Sequence, residues 1–340
     1  MNKKTKIIIL ICISFAAVIL GIAVGSVYIS PAEILTVFNN KIFGIDLPRD
    51  FNLIHSGLVW NMRMPRVFLA FLVGASLSVS GTVMQSVLKN PLASSYGLGV
   101  SSGAGLGAAL IMISGLSEGV LGIFFLPLAG LIFGLVTVFF AVSLASRLDK
   151  EMSNNTIILT GMVLSLFINA ILTLLASGSP QYAQRILLWQ LGSFSMKEWS
   201  FVYVLTPVTV LGVLFFMRYS KELDIMTFGE EQANALGVEL KKVKWILIGM
   251  SAVLTGAAVA FVGIIGFVDL IAPHVVRKIF GSSHKYVIPA SALFGGTFMV
   301  LCDLFSRTAA SPSEIPIGSV TAFIGAPFFI YVYFKSRKRD

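Results

Sequence analysis

"TFGEEQANALGV", residues 227–238, is a polar island between two apolar runs. Thr227 followed three residues later by Glu230 has the spacing of a capping box. Glu230 and Glu231 fall in a first turn, where the helix dipole favours anions, and Gly237 is a natural stop. The spacing predicts a helix over 228–236, about 14 Å long at 1.5 Å per residue. That is too short to cross a hydrocarbon core of about 30 Å. Ala233, Leu236 and Leu240 give it an apolar edge. The expectation is a small docking helix whose Ala233 and Leu236 face a soluble partner; a solvated loop is the other reading of these residues alone.

Working outward, the flanking sequence is greasy. The 340 residues are 56% hydrophobic and 12% charged, whereas soluble domains carry about a quarter charged residues. Apolar runs of roughly 18 or more residues recur, and each is long enough to span a bilayer. Ten spans are predicted, near 7–29, 67–88, 97–114, 119–145, 155–176, 200–217, 243–266, 268–280, 287–305 and 317–334. The fold class is an all-α integral membrane protein forming a single domain over 1–340. The 31 glycines fit this reading, because small residues let membrane helices approach closely. The start, "MNKKTK" then "IIILICISFAAVILGIAVGS", reads as an uncleaved first span, since its apolar run exceeds the 7–15 residues typical of a signal peptide.

An even number of spans places both termini on one side. The positive-inside rule puts that side in the cytoplasm. Of 25 basic residues only Lys41, Arg49, Arg63, Arg66, Arg185, Lys197 and Arg307 then remain outside, and the rest, the terminal Lys338 and Arg339 included, lie inside. The net charge of +9 sits in the breaks between spans, so it argues against nucleic acid as a partner. A weak internal repeat is present: "GASLSVSG" (74–81) and "GMSAVLTG" (249–256) share a Gly-x-Ser-x-x-x-[Ser/Thr]-Gly pattern. Oppositely oriented repeats are common in transporters, and chance recurrence in glycine-rich helices is the alternative.

The composition excludes several chemistries. No Gly-x-x-x-x-Gly-Lys-[Ser/Thr] phosphate loop occurs, and "GSSHK" (281–285) lacks the spacing, so any ATP is hydrolysed on another polypeptide. His55, His274 and His284 are scattered, with no His-x-x-x-His pair, and no metal site or cofactor is expected. Cys12 and Cys302 lie in apolar segments and read as small buried hydrophobes. Gln85, Thr160, Ser165 and Asn169 break the apolar pattern and are candidates to line a translocation path, the last three on roughly one side of the fifth span; interhelical hydrogen bonding is the competing reading. Asp303 and Arg307 have the i,i+4 spacing of an intrahelical ion pair.

"EQANALG" (231–237) resembles the Glu-Ala-Ala-x-x-x-Gly signature of ABC importer permeases, with Gln232 at the middle position. "RMPRVFLAFLVGASLSVSG" (63–81), "MQSVLKNPLASSYGLGVSSGAG" (84–105), "GIIGFVDLIAPHVVRKIFG" (263–281) and "PIGSVTAFIGAPFFI" (316–330) resemble the FecCD group, the permeases for iron-siderophore, haem and cobalamin import. The resemblance covers essentially the whole chain. It implies a type II ABC importer permease with about ten spans and a cytoplasmic coupling helix in a loop near 220–242, carried by Glu230, Glu231, Ala233, Leu236 and Gly237. It implies a transport subunit, not an enzyme, in a bacterial cytoplasmic membrane. Its implied partners are two ABC ATPase subunits, a second permease, identical or paralogous, an extracytoplasmic binding protein and membrane lipids. Arg63, Arg66 and Arg307 match arginines that pair with glutamates of the binding protein, and the Pro-His-x-x-Arg segment at 273–277 matches a structural and gating element. The family usually has glycine where this chain has Asp269. An acid in a membrane core is costly, and a wet position at the outer end of the seventh span is expected for it.

Overall fold

The computed structural model describes residues 2–117 and 122–337. Among the described residues it is helical, without strands. The helices are α1 (Lys3–Ala23), α2 (Pro31–Phe43), α3 (Leu53–Gly57), α4 (Met64–Val87), α5 (Val100–Ile113), α6 (Gly122–Leu148), α7 (Asn154–Gly178) and α8 (Pro180–Gln190). They continue with α9 (Trp199–Arg218), α10 (Ser220–Met226), α11 (Glu230–Ala235), α12 (Leu240–Val262), α13 (Val268–Phe280), α14 (His284–Thr308) and α15 (Ile317–Arg337). A π-helical turn, Leu58–Arg63, joins α3 to α4 without a break.

Among the described residues seven helices are long and apolar enough to cross a membrane, and they coincide with seven of the expected spans. α5, α13 and α15 stand at the other three places; α5 and α13, with 14 and 13 residues, are only about 20 Å long. The beginning of the fourth expected span, 119–121, lies outside the described residues, as do Lys338 and Arg339. Four short helices were not anticipated: α2, α3, α8 and α10. α2 carries its own local signal, a capping box in which Ser30 and Glu33 exchange hydrogen bonds and Pro31 follows at the first helical position.

α4 is the axis of the molecule. It is buried almost throughout and packs on α14, α12, α13 and α9. Its sequence explains how: Gly74, Gly81 and a run of serines allow close contact, and a Cβ on Gly81 would collide with the Asp269 carbonyl of α13. Its hydroxyls are tied to neighbours, Ser76 to Thr209 at 2.8 Å and Thr82 to Ser291 at 2.9 Å. Such pairs satisfy polar groups that have no water to turn to.

The two repeat segments meet directly. Ser80 accepts from Thr255 at 2.8 Å and donates to Ser251 O at 3.1 Å. The packing is also exchanged between halves: α4 lies against α13 and α14, while α12 lies against α5 and α6. That reciprocity is what paired repeats would produce. Cys302 is buried as expected, but Cys12 is exposed on α1, because that face of α1 has no neighbour within the chain.

Candidate functional site

One candidate region is α11 and its surroundings. The capping box expected at Thr227 is not formed. Thr227 follows the last turn of α10 and its hydroxyl donates to Asp224 O at 2.6 Å, while Gly229, at φ 140°, enters α11. Glu230 is thereby free to bind Lys244 of α12 at 2.8 Å. Lys244 is only 1% exposed and also donates to Met152 O at 2.9 Å. A buried ammonium needs such partners. At the other end Gly237 adopts φ 82°. Its amide bonds Asn234 O at 2.9 Å, and Val238 bonds Ala233 O at 3.0 Å, the paired bonds of a Schellman stop.

This geometry corrects one expectation. Ala233 does not face outward; it is fully buried in a cluster with Leu223, Met226, Val238 and Leu240. Leu236 and Phe228 project instead, at 66% and 72% exposure. Beside them runs a charged groove of about 710 Å³ lined by Lys150, Glu151, Glu230, Glu231, Lys241 and Trp245.

The second region lies at the opposite end of α12, whose 23 residues span about 35 Å. Here Arg63, Arg66, Lys197, Glu198, Arg307 and Glu314 line a groove of about 480 Å³. The three arginines, for which the resemblance implied docking on a binding protein, are engaged within the chain. Arg63 is 4% exposed and donates to Ile22 O, Ala23 O and Val27 O at 2.9, 3.0 and 2.5 Å, closing the end of α1. Arg307 donates to Gly21 O. Arg66 forks onto buried Asp303, with bonds of 2.8 to 3.1 Å, and onto Glu314 at 2.6 and 3.0 Å. The intrahelical Asp303–Arg307 pair is loose at 3.7 Å because Arg66 holds the carboxylate. Of the three, Arg66 alone reaches a half-exposed acid, Glu314.

A polar line missed from sequence connects elements near α11 to α13. Asp224 of α10 bonds His284 Nδ1 at 2.6 Å, and His284 Nε2 meets Ser86 at 2.6 Å. Ser86 accepts from Arg277 at 3.0 Å, and Arg277 bonds Gln85 Oε1 at 2.5 Å. Gln85, expected on a path, is therefore buried within this network. Asp269, expected to be wet, is buried as well. It accepts from Ser94, in the first turn of α13 where helix amides favour an anion. Helical hydrogen-bond networks of this kind join residues far apart in sequence, so no spacing announces them. His274 stacks edge-on to Phe328 at 6.4 Å, and no metal-binding group of three ligands exists among the described residues.

Thr160, Ser165 and Asn169 do share α7. Thr160 and Ser165 bond their own backbone, at Thr156 O and Gly161 O, both 2.8 Å, and Asn169 is exposed. The same helix exposes Leu159, Val163, Leu166 and Phe167.

The profile of the FecCD transport family matches residues 9–335. The chain belongs to the FecCD transport family. An uncharacterized ABC transporter permease protein of Bacillus subtilis, YvrB, is 40% identical over 99% of this chain and 95% of its own length. The cobalamin import permease BtuC of Halobacterium salinarum is 37% identical over 81% of this chain and 73% of its own length. Further relatives are the B. subtilis permeases for iron(III)-citrate and iron(III)-hydroxamate. A solved structure of a metal-chelate type ABC transporter in an inward-facing conformation aligns with a TM-score of 0.84 at 28% identity, covering 98% of this chain and 99% of that one. As a FecCD permease the chain is a multi-pass transport component of an ABC system. The helical fold with its long apolar spans is the one this solved structure shares.

Proposed function

We propose that this chain is the membrane-spanning subunit of an ATP-driven importer in a bacterial cytoplasmic membrane, with both termini inside. Its cargo is an iron(III)-siderophore complex handed over by an extracytoplasmic binding protein. The observation that carries this reading is α11: a six-residue helix braced by the Glu230–Lys244 pair and projecting Leu236 and Phe228. Those apolar side chains suit a pocket on a soluble ATPase, and the brace lets a push on α11 reach α12. Two ATPase subunits and a second permease complete the assembly, with α7, including half-buried Thr160 and Ser165 and exposed Asn169, towards the path. At the opposite face Arg66 is the arginine placed to meet a binding-protein carboxylate, with Arg63 and Arg307 as its scaffold. Fork geometry suits that role.

The iron(III)-citrate and iron(III)-hydroxamate relatives support the cargo. Cobalamin is the second reading, favoured by the 37% identity to the halobacterial permease; haem follows from the haemin permease relative. The test is uptake into vesicles holding the permease, its ATPase and its binding protein, offered ferric siderophores, haem and cobalamin in turn. ATP-dependent entry of a ferric siderophore alone is expected. Entry of cobalamin or haem in its place would overturn the cargo, and failure of any ATPase to associate would overturn the importer.

A further inference from the structure

Arg185 and Lys197 are two cations of the predicted outer face to which the transport reading gives no role of their own. Lys197 edges the 480 Å³ groove described above, and both cations border a further recess. α12 packs against α6 on one side and α9 on the other. Between them lies an apolar slot of about 310 Å³, lined by Pro127 and Leu131 of α6, Phe201 and Val204 of α9, and Ala257 and Ala260 of α12. The two alanines are why the slot exists: small side chains at this crossing leave the space that larger ones would fill.

The slot does not end in apolar surface. A second recess of about 270 Å³ shares Pro127, Phe201, Ala260 and Phe261 with it and adds Arg185, Lys197 and Glu198. Lys197 Nζ lies over the Phe201 ring, 5.1 Å from its centroid. Burial holds its pKa below the usual lysine value. Among the described residues neither Lys197 nor Arg185 has an ion pair or a side-chain hydrogen bond, and Glu198 reaches neither. Among the described residues this partly desolvated ammonium has only a ring face for company and no counter-ion. A hydrocarbon slot continuous with an unpaired pair of cations asks for one molecule carrying an acyl chain and an anionic head.

We propose that the α6–α9–α12 slot and the Arg185–Lys197 recess form a binding site for one anionic glycerophospholipid, its acyl chain over Ala257 and Ala260 and its phosphate between the two cations. Free phosphate would leave the slot empty, and a neutral lipid would leave the cations unpaired. The site is independent of which chelate the permease carries. Its position above α12 gives it a lever on the same helix that Lys244 anchors at the other end.

The test is native mass spectrometry of the full-length chain released from nanodiscs containing phosphatidylglycerol and phosphatidylcholine. Phosphatidylglycerol should remain bound in preference to phosphatidylcholine. The double variant Arg185→Gln, Lys197→Gln should retain it roughly tenfold less, because it removes both charges, one at exposed Arg185 and one over the Phe201 ring, while glutamine keeps a polar side chain at each place. Its phosphatidylcholine adducts should be unchanged. Equal retention of the two lipids by the wild type, or full retention of phosphatidylglycerol by the double variant, would overturn the proposal. Displacement of the lipid by inorganic phosphate alone would show a phosphate site without a chain, and would overturn it too.

Discussion

At the Arg66 end of the molecule three arginines lie in a groove, yet their guanidinium groups are held by the chain's own carbonyls and carboxylates. At the α11 end the buried cation Lys244 is likewise held, but what it steadies is a helix that shows apolar Leu236 and Phe228 to the outside. Polarity is therefore a poor guide to exposure in both places. In the first, charge is drawn inward because helix ends at the membrane surface leave carbonyls that need donors. In the second, apolar groups remain outside because α11 is too short to bury more than one side, and Ala233 takes that side.

The largest expected effect tests that one-sidedness. Ala233→Arg should place an unpaired cation in the Leu223–Met226 cluster and cost about 4 kcal/mol or more, seen as a collapse of thermal stability in detergent. Leu236→Arg, two-thirds exposed in the native protein, should leave the melting temperature unchanged while weakening ATPase association. Equal stability of the two variants would erase the distinction between the faces of α11.

Next comes an asymmetry within the ion pair. Glu230→Ala strands Lys244 in a buried site with only Met152 O for a partner, and should cost about 3 kcal/mol. Lys244→Met should cost less, because Glu230 is 36% exposed and can rehydrate. Denaturant or thermal melts of the two variants compare them directly; a larger loss for Lys244→Met would show that the brace is not what steadies α11.

A smaller effect separates the arginines from one another. Arg63→Met deprives three carbonyls of their donor and should cost about 2 kcal/mol, with little dependence on salt because the site is buried. Arg66→Gln keeps a donor for buried Asp303, and should leave ATP hydrolysis intact while slowing the encounter with the binding protein, most clearly at low salt. Association kinetics at low and high ionic strength measure this. A variant that binds as fast as wild type would return Arg66 to a purely structural role.

The smallest effect belongs to α2. His55, followed by the Ser30 amide and hydroxyl, holds the Glu33 carboxyl down from 4.5 to about 2. A carboxyl with a lowered folded pKa stabilises the fold above its unfolded value, and that contribution fades as pH falls from 4.5 towards 2. The protection of α2 against hydrogen exchange, corrected for the intrinsic pH dependence, should therefore fall over that window, and Glu33→Gln should flatten the profile.

Much of this molecule was legible in its residues. Apolar run length announced the spans, because each must close its backbone hydrogen bonds within a segment long enough for the bilayer. Gly237 marked the end of α11, because a helix stop is a local backbone event. The motifs at 63–81, 84–105, 231–237, 263–281 and 316–330 announced the family. The partners of Arg63, Arg66, Lys244 and Asp269 were not legible. In water, a polar stripe tells a helix which face is outside; here lipid and protein interior are both apolar, so periodicity carries little orientation. Which polar side chain turns inward is then decided by neighbours far along the chain: Asp303 and Glu314 for Arg66, Met152 and Glu230 for Lys244, Ser94 for Asp269. Composition and apolar run length determine a helical membrane protein, and the motifs its family. The assembly of α4, α12, α13 and α14 decides where its charges lie, because only packed helices can supply the partners a buried charge requires.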